Sequence, residues 1–150
     1  GVDGEQAVEA GRRVTASGMK LSVMVILGIA GKDGSERHAL ATARAINIIK
    51  PTHLSALCLM LYRGSELLDQ YEAGKFNPLS PAGLMQELKL MMENIDIPED
   101  RYCLFRSNHV SNYVQLAATL PKDKPALLCD IDRSIAHLSK LKSWDVYNYN

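Results

Sequence analysis

The stretch MKLSVMVILGIAGKDGSERHALATARAINIIKPTHLSALCLML (19–61) decides the fold class. Residues 19–27 are almost wholly apolar, and Val23, Val25 and Ile26 add β-branched shape, so they predict a strand. Residues 53–61 are apolar throughout and predict a second. A strand apolar along its whole length is usually covered on both faces, as in parallel sheets. Between the two lies a helical pattern over about 36–49, with Ala39, Ala43, Ile46 and Ile49 on its inward face, Ser35 placed to cap it and Pro51 to stop it. Strand, helix and strand on short links predict a parallel βαβ crossover.

Working outward, Asp3 and Gln6 have the spacing of a capping box, and Ala7, Ala10, Gly11 and Val14 make a narrow face on a helix that Gly18 ends. After the second strand, Arg63-Gly64-Ser65 is a turn, followed by a short helix over 66–73 and Gly74. Ser80 caps a strong amphipathic helix whose apolar face is Leu84, Leu88, Met91 and Ile95. Residues 102–105 predict a weak third strand, residues 112–118 a short helix, and residues 123–141 a long one with Leu128, Ile131, Ile135 and Leu138 inward. The tail from Ser143, with Trp144, Tyr147 and Tyr149, is expected to fray.

Composition bounds the function. The 150 residues carry seventeen basic and seventeen acidic side chains, 47% hydrophobic and 23% charged residues, all ordinary globular values. A net charge of zero gives no electrostatic footprint for nucleic acid. No apolar run approaches the roughly 20 residues of a membrane span. Cys58, Cys103 and Cys129 are an odd number at wide spacing in apolar stretches, which predicts buried, reduced thiols and a cytoplasmic location, with no metal site.

Two segments could carry chemistry. Gly28, Gly31 and Gly34 lie between a strand and a helix, where backbone N–H groups can cradle an anion. The same glycines also suit a tight turn with positive φ, and the spacing matches neither the dinucleotide nor the Walker pattern. The run Arg106-Ser107-Asn108-His109-Val110-Ser111-Asn112-Tyr113 is the densest cluster of hydrogen-bonding side chains, either a site at a strand's C-terminal edge or a solvated loop. His38, His53 and His137 read as isolated, and no nucleophile triad is visible.

The stretches AVEAGRRVTASGMKLSVMVILGIAGKDGSERHALATARAINIIKPTHLSALCLMLYRGSEL (7–67) and RSNHVSNYVQLAATLPKDKPALL (106–128) resemble the C-terminal half of a radical S-adenosylmethionine domain. The resemblance is to the class of oxygen-independent coproporphyrinogen oxidase and the elongator-type enzymes. It implies a partial (βα) barrel, with parallel strands and covering helices in residues 1–76 and a mostly helical extension packed on it in residues 77–150. It also implies a [4Fe–4S] cluster on a Cys-x₃-Cys-x₂-Cys loop, which cleaves S-adenosylmethionine to a 5′-deoxyadenosyl radical that abstracts hydrogen from substrate.

This sequence has no such cysteine triplet. The resemblance therefore implies a fragment, inactive alone, whose partner is the missing N-terminal half of the barrel. Met24, Ile26, Gly28, Cys58 and Met60 are carried over as cofactor-side residues, with Cys58 and Met60 inward on the second strand. Tyr62, Arg106, Asn108 and His109 are carried over as candidates for the side of a small-molecule substrate. Two other readings stand beside this one: a non-catalytic nucleotide- or phosphate-binding module using the glycine loop, and an interaction module pairing through an exposed sheet edge. A cut barrel would leave the 19–27 strand unpaired, which predicts a homodimer through that edge.

Overall fold

Strand β1, Ser22–Leu27, alternates in burial along its length, as does β2, His53–Cys58, in this computed structural model. The structure describes residues 3–140. The two strands pair in parallel with Leu27 opposite Cys58, and β2 pairs in parallel with β3, Cys103–Ser107. Strand β4, Leu116–Leu120, completes the sheet antiparallel to β3, so the order is β1-β2-β3-β4. The molecule is α/β, with an open, mostly parallel sheet.

Five helices accompany the sheet among the described residues: α1 Gly4–Ala16, α2 Gly31–Ile49, α3 Glu66–Glu72, α4 Pro81–Asn94 and α5 Lys124–Leu138. Helix α2 packs beside α4, and α4 beside α5. Their apolar stripes meet one face of the sheet: Ala39, Ala43 and Ile46 from α2, Leu84, Leu88 and Met91 from α4, Leu127 and Ile131 from α5. Leu27, Leu54, Ala56, Phe105, Ala118 and Leu120 answer them from the strands. Burial of this set is the main favourable term holding the fold.

The opposite face is different, and it corrects the expectation of a sheet covered on both sides. Met24 is 72% exposed and Ile26 45% exposed, while Ser55, Leu57 and Leu104 are only half-buried. Among the described residues no helix lies across this face. The strand reads as apolar throughout because Met24 and Ile26 are apolar where a solvated face would ordinarily alternate to polar.

Other local expectations are met or revised. The Asp3 and Gln6 capping box is present, and Ser80 and Ser65 cap α4 and α3. Helix α1 buries no residue; it touches α2 where Gly11 lies under Ile49 and Thr15 Oγ1 donates to the Ile49 carbonyl at 2.7 Å. Helix α2 begins at Gly31, four residues before Ser35, which is not its cap. Residues 116–120 are strand, although the sequence predicts a short helix over 112–118: Leu116, Ala118 and Leu120 are buried at period two, and β3 supplies the ladder. Residues 77–140 thus contribute two of the four strands. Cys129 is exposed, not buried. The tail from Ser143 lies outside the described residues. No helix among those described is long and apolar enough to cross a membrane.

Candidate functional site

Parallel strands point their C-terminal ends the same way, and on the uncovered face those ends open into a cavity of about 290 Å³. Ile26 and Leu57 form its floor, Leu59, Met60 and Tyr62 follow from the segment after β2, Ser65 and Leu67 from the start of α3, and His109 and Ser111 from the β3–β4 loop. Among the described residues no Asp, Glu, Lys or Arg lines it. An apolar bowl with hydroxyl and imidazole groups on one rim is the usual make-up of a small-molecule site. A larger concavity of about 650 Å³ runs along α1 beside Glu5, Glu9 and Arg13, but one exposed helix supplies every residue of it.

Of the expected cofactor-side residues, Ile26, Cys58 and Met60 line the cavity, and Met24 lies behind Ile26 on the same open face. Cys58 approaches from the other side of the sheet. Its neighbours in alternation, Leu54 and Ala56, belong to the helix-covered core, and so does Cys58. The residue that shares the face of Ile26 is Leu57, its register partner. Burial pushes the Cys58 thiol up to about 11, against a hydrogen bond from the Tyr113 backbone and with a smaller push from the Glu87 charge. A thiol so held is protonated at neutral pH and unreactive.

Of the substrate-side candidates, Tyr62 and His109 line the cavity. Arg106 does not: its guanidinium Nη1 folds onto the Phe105 carbonyl at 2.7 Å and reaches that of Ala118 at 3.4 Å. Asn108 is exposed on the loop outside the wall.

Gly28 is buried behind the floor with φ of 81°, and its N–H donates to Glu87 Oε1 at 2.8 Å. Ser35 Oγ donates to the other oxygen of Glu87, and His38 Nδ1 lies 3.0 Å from Oε1. His38 is therefore not isolated, as its sequence setting suggests. Glu87 is 2% exposed, a buried carboxyl spent on fixing this loop from α4. The Gly31 N–H donates to the Gly28 carbonyl and that of Lys32 to the Asn77 carbonyl. The N–H groups that could have cradled an anion are thus taken at Gly28, Gly31 and Lys32, and a buried carboxyl stands beside them.

Two residues escape sequence reasoning. Glu87 looks like a solvated helix position, and only its place within the face of Leu84, Leu88 and Met91 hints at burial. Asn112 lies in the polar run singled out above, but its bonds to β2 carry no sequence mark. Its side-chain oxygen accepts from the Cys58 N–H at 2.7 Å, and its Nδ2 donates to the Ala56 carbonyl and to Ser107 Oγ, each at 2.8 Å.

A [4Fe–4S] cluster requires several thiolates converging on one point. Cys58 and Cys103 are buried in the core and Cys129 is exposed on α5. Among the described residues no three His, Cys, Asp or Glu side chains are grouped to hold a metal ion. The residues present do not fit such a cluster. Comparison with family models, curated proteins and solved structures gives no match to this chain.

Proposed function

We propose that this chain is one wall of the partial (βα) barrel of a radical S-adenosylmethionine enzyme, contributing the adenosyl side of the pocket. The one-sided sheet carries the reading. Strands β1, β2 and β3 lie side by side in chain order, with α2, α4 and α5 all against one face. In a βα barrel the helices form the outer ring, and the bare face of the strands becomes the interior. The cavity sits at the C-terminal strand ends, where barrel enzymes place their sites.

In that reading Ile26, Leu57 and Met60 bound the adenosyl group with apolar surface, and Gly28 holds the end of β1 in the turn that lets the chain pass behind it. Tyr62 and His109 face the substrate. A cofactor and a cluster held by a wall outside this chain would supply the radical chemistry, since the residues here do not fit the cluster. The chain acts in the cytoplasm and is inactive until that wall is supplied.

The phosphate-binding alternative is disfavoured by Glu87, whose carboxyl already occupies donor groups of the glycine loop. Isothermal titration separates the two. S-adenosylmethionine should bind weakly, with a Kd near 1 mM, worth about 4 kcal/mol, while inorganic phosphate and ATP should give no heat. Binding of phosphate or ATP in preference to S-adenosylmethionine would overturn the assignment.

A further inference from the structure

We propose that Asn112 is the positioning residue of this site, presenting His109 to the cavity as a neutral imidazole whose Nε2–H is the donor for a substrate acceptor atom. The inference rests on reading the cavity as a substrate site.

The need for Asn112 arises from the sheet. Strands β2 and β3 are in register only from His53 opposite Leu104 to Ser55 opposite Arg106. Past that point β3 gives no ladder partner to the Ala56 carbonyl or the Cys58 N–H. The Asn112 amide takes the place of a peptide unit, donating to Ala56 O and accepting from Cys58 N. The third contact, from Nδ2 to Ser107 Oγ, reaches a fully buried hydroxyl at the end of β3. The orientation is fixed, because a flipped amide would oppose oxygen to the Ala56 carbonyl and N–H to the Cys58 N–H.

Within the loop from Asn108 to Gln115, the Tyr113 backbone bonds to the Cys58 thiol and Val114 packs against the core, so the stretch from Asn112 onward is held to the sheet, while Val110 is exposed. Pinning Asn112 therefore also sets its neighbour Ser111. The Ser111 N–H donates to His109 Nδ1 at 3.1 Å, and Ser111 Oγ lies 2.9 Å from the same nitrogen. A backbone N–H can only donate, so Nδ1 carries the lone pair and the ring proton is on Nε2. Among the described residues Nε2 has no partner, and His109 is part of the cavity wall. With no charged side chain in that wall, the matching ligand group is a neutral acceptor such as a carbonyl or ring nitrogen.

The test is ring-nitrogen NMR of the full chain at neutral pH, with His109 assigned through His109→Gln. The Nε2–H pattern is expected in the wild type, and Asn112→Ala should move His109 to a mixture of tautomers while His38 and His53 keep their signals. An Nδ1–H or mixed pattern in the wild type overturns the proposal, as does an unchanged His109 in folded Asn112→Ala. Should that variant not fold, a scalar coupling from Asn112 Nδ2 to the Ala56 carbonyl in the wild type decides, its absence being fatal. Millimolar N,N-dimethylbenzamide, which only accepts, should shift Nε2 together with the Leu57 and Met60 methyls; no shift removes the donor role. A failed S-adenosylmethionine titration would leave the tautomer result standing, so the two readings fail separately.

Discussion

The Glu87 carboxyl on α4 receives the Gly28 N–H at 2.8 Å, from fifty-nine positions away in the sequence. This one contact ties the end of β1 to a helix four elements on. The floor of the cavity is therefore a fixed edge. Glu87→Ala would leave the buried Gly28 N–H and Ser35 hydroxyl without their acceptor. It should cost about 2–4 kcal/mol in urea denaturation, whereas Glu87→Gln, which keeps an acceptor oxygen, should cost about 1 kcal/mol.

Gly28 and Gly64 share the left-handed backbone, with φ of 81° and 82°, but differ in surroundings. A Cβ on Gly28 would meet Leu84 Cδ2 at 2.7 Å, while one on Gly64 meets nothing within 4 Å. Gly64→Ala should therefore cost only the backbone strain, about 1 kcal/mol. Gly28→Ala should cost about 2–4 kcal/mol, adding crowding in a packed core. Equal midpoints for the two variants would show that the Leu84 contact does not constrain the turn.

The buried thiols set an alkaline limit. Burial lifts both Cys58 and Cys103 to about 11. The unfolded chain deprotonates near the ordinary thiol value of about 8.5. Stability is therefore whole below that value and falls as pH rises towards 11, by about 2–3 kcal/mol for each thiol. Urea midpoints at successive pH values should show the fall, and Cys58→Ala with Cys103→Ala should flatten it. A disulfide-exchange reagent at neutral pH should find one fast thiol, the exposed Cys129.

The open face carries Met24 and Ile26 on β1, which is also the sheet's edge strand. We expect self-association through that strand. Met24→Lys should remove it while changing stability by no more than about 0.5 kcal/mol, because the side chain is exposed. Light scattering that finds the wild type monomeric at high concentration would refute this.

The βαβ unit is legible because its apolar runs and its helical period are local patterns. The capping residues Asp3 and Ser80 are legible for the same reason, since each acts through a neighbour three positions away. Strand β4 is not legible: Leu116 to Leu120 has no β-branched residue except Thr119, and its strand state comes from pairing with β3. The bare face is hidden because Met24 and Ile26 look like core residues. Alternation along an apolar run groups Cys58 with Met60, yet the strand ends at Cys58 and the ladder places Leu57 beside Ile26. Glu87 and Asn112 bond to groups 59 and 54 positions away, which no local pattern encodes.

Methyl NMR during titration with S-adenosylmethionine tests the central claim most directly, that the bare face at the ends of β1 and β2 binds an adenosyl group. Shifts are predicted at Ile26, Leu57 and Met60, with the core methyls of Ile46 and Ile131 unmoved. Shifts confined to the helix-covered side, or none at millimolar ligand, would contradict it.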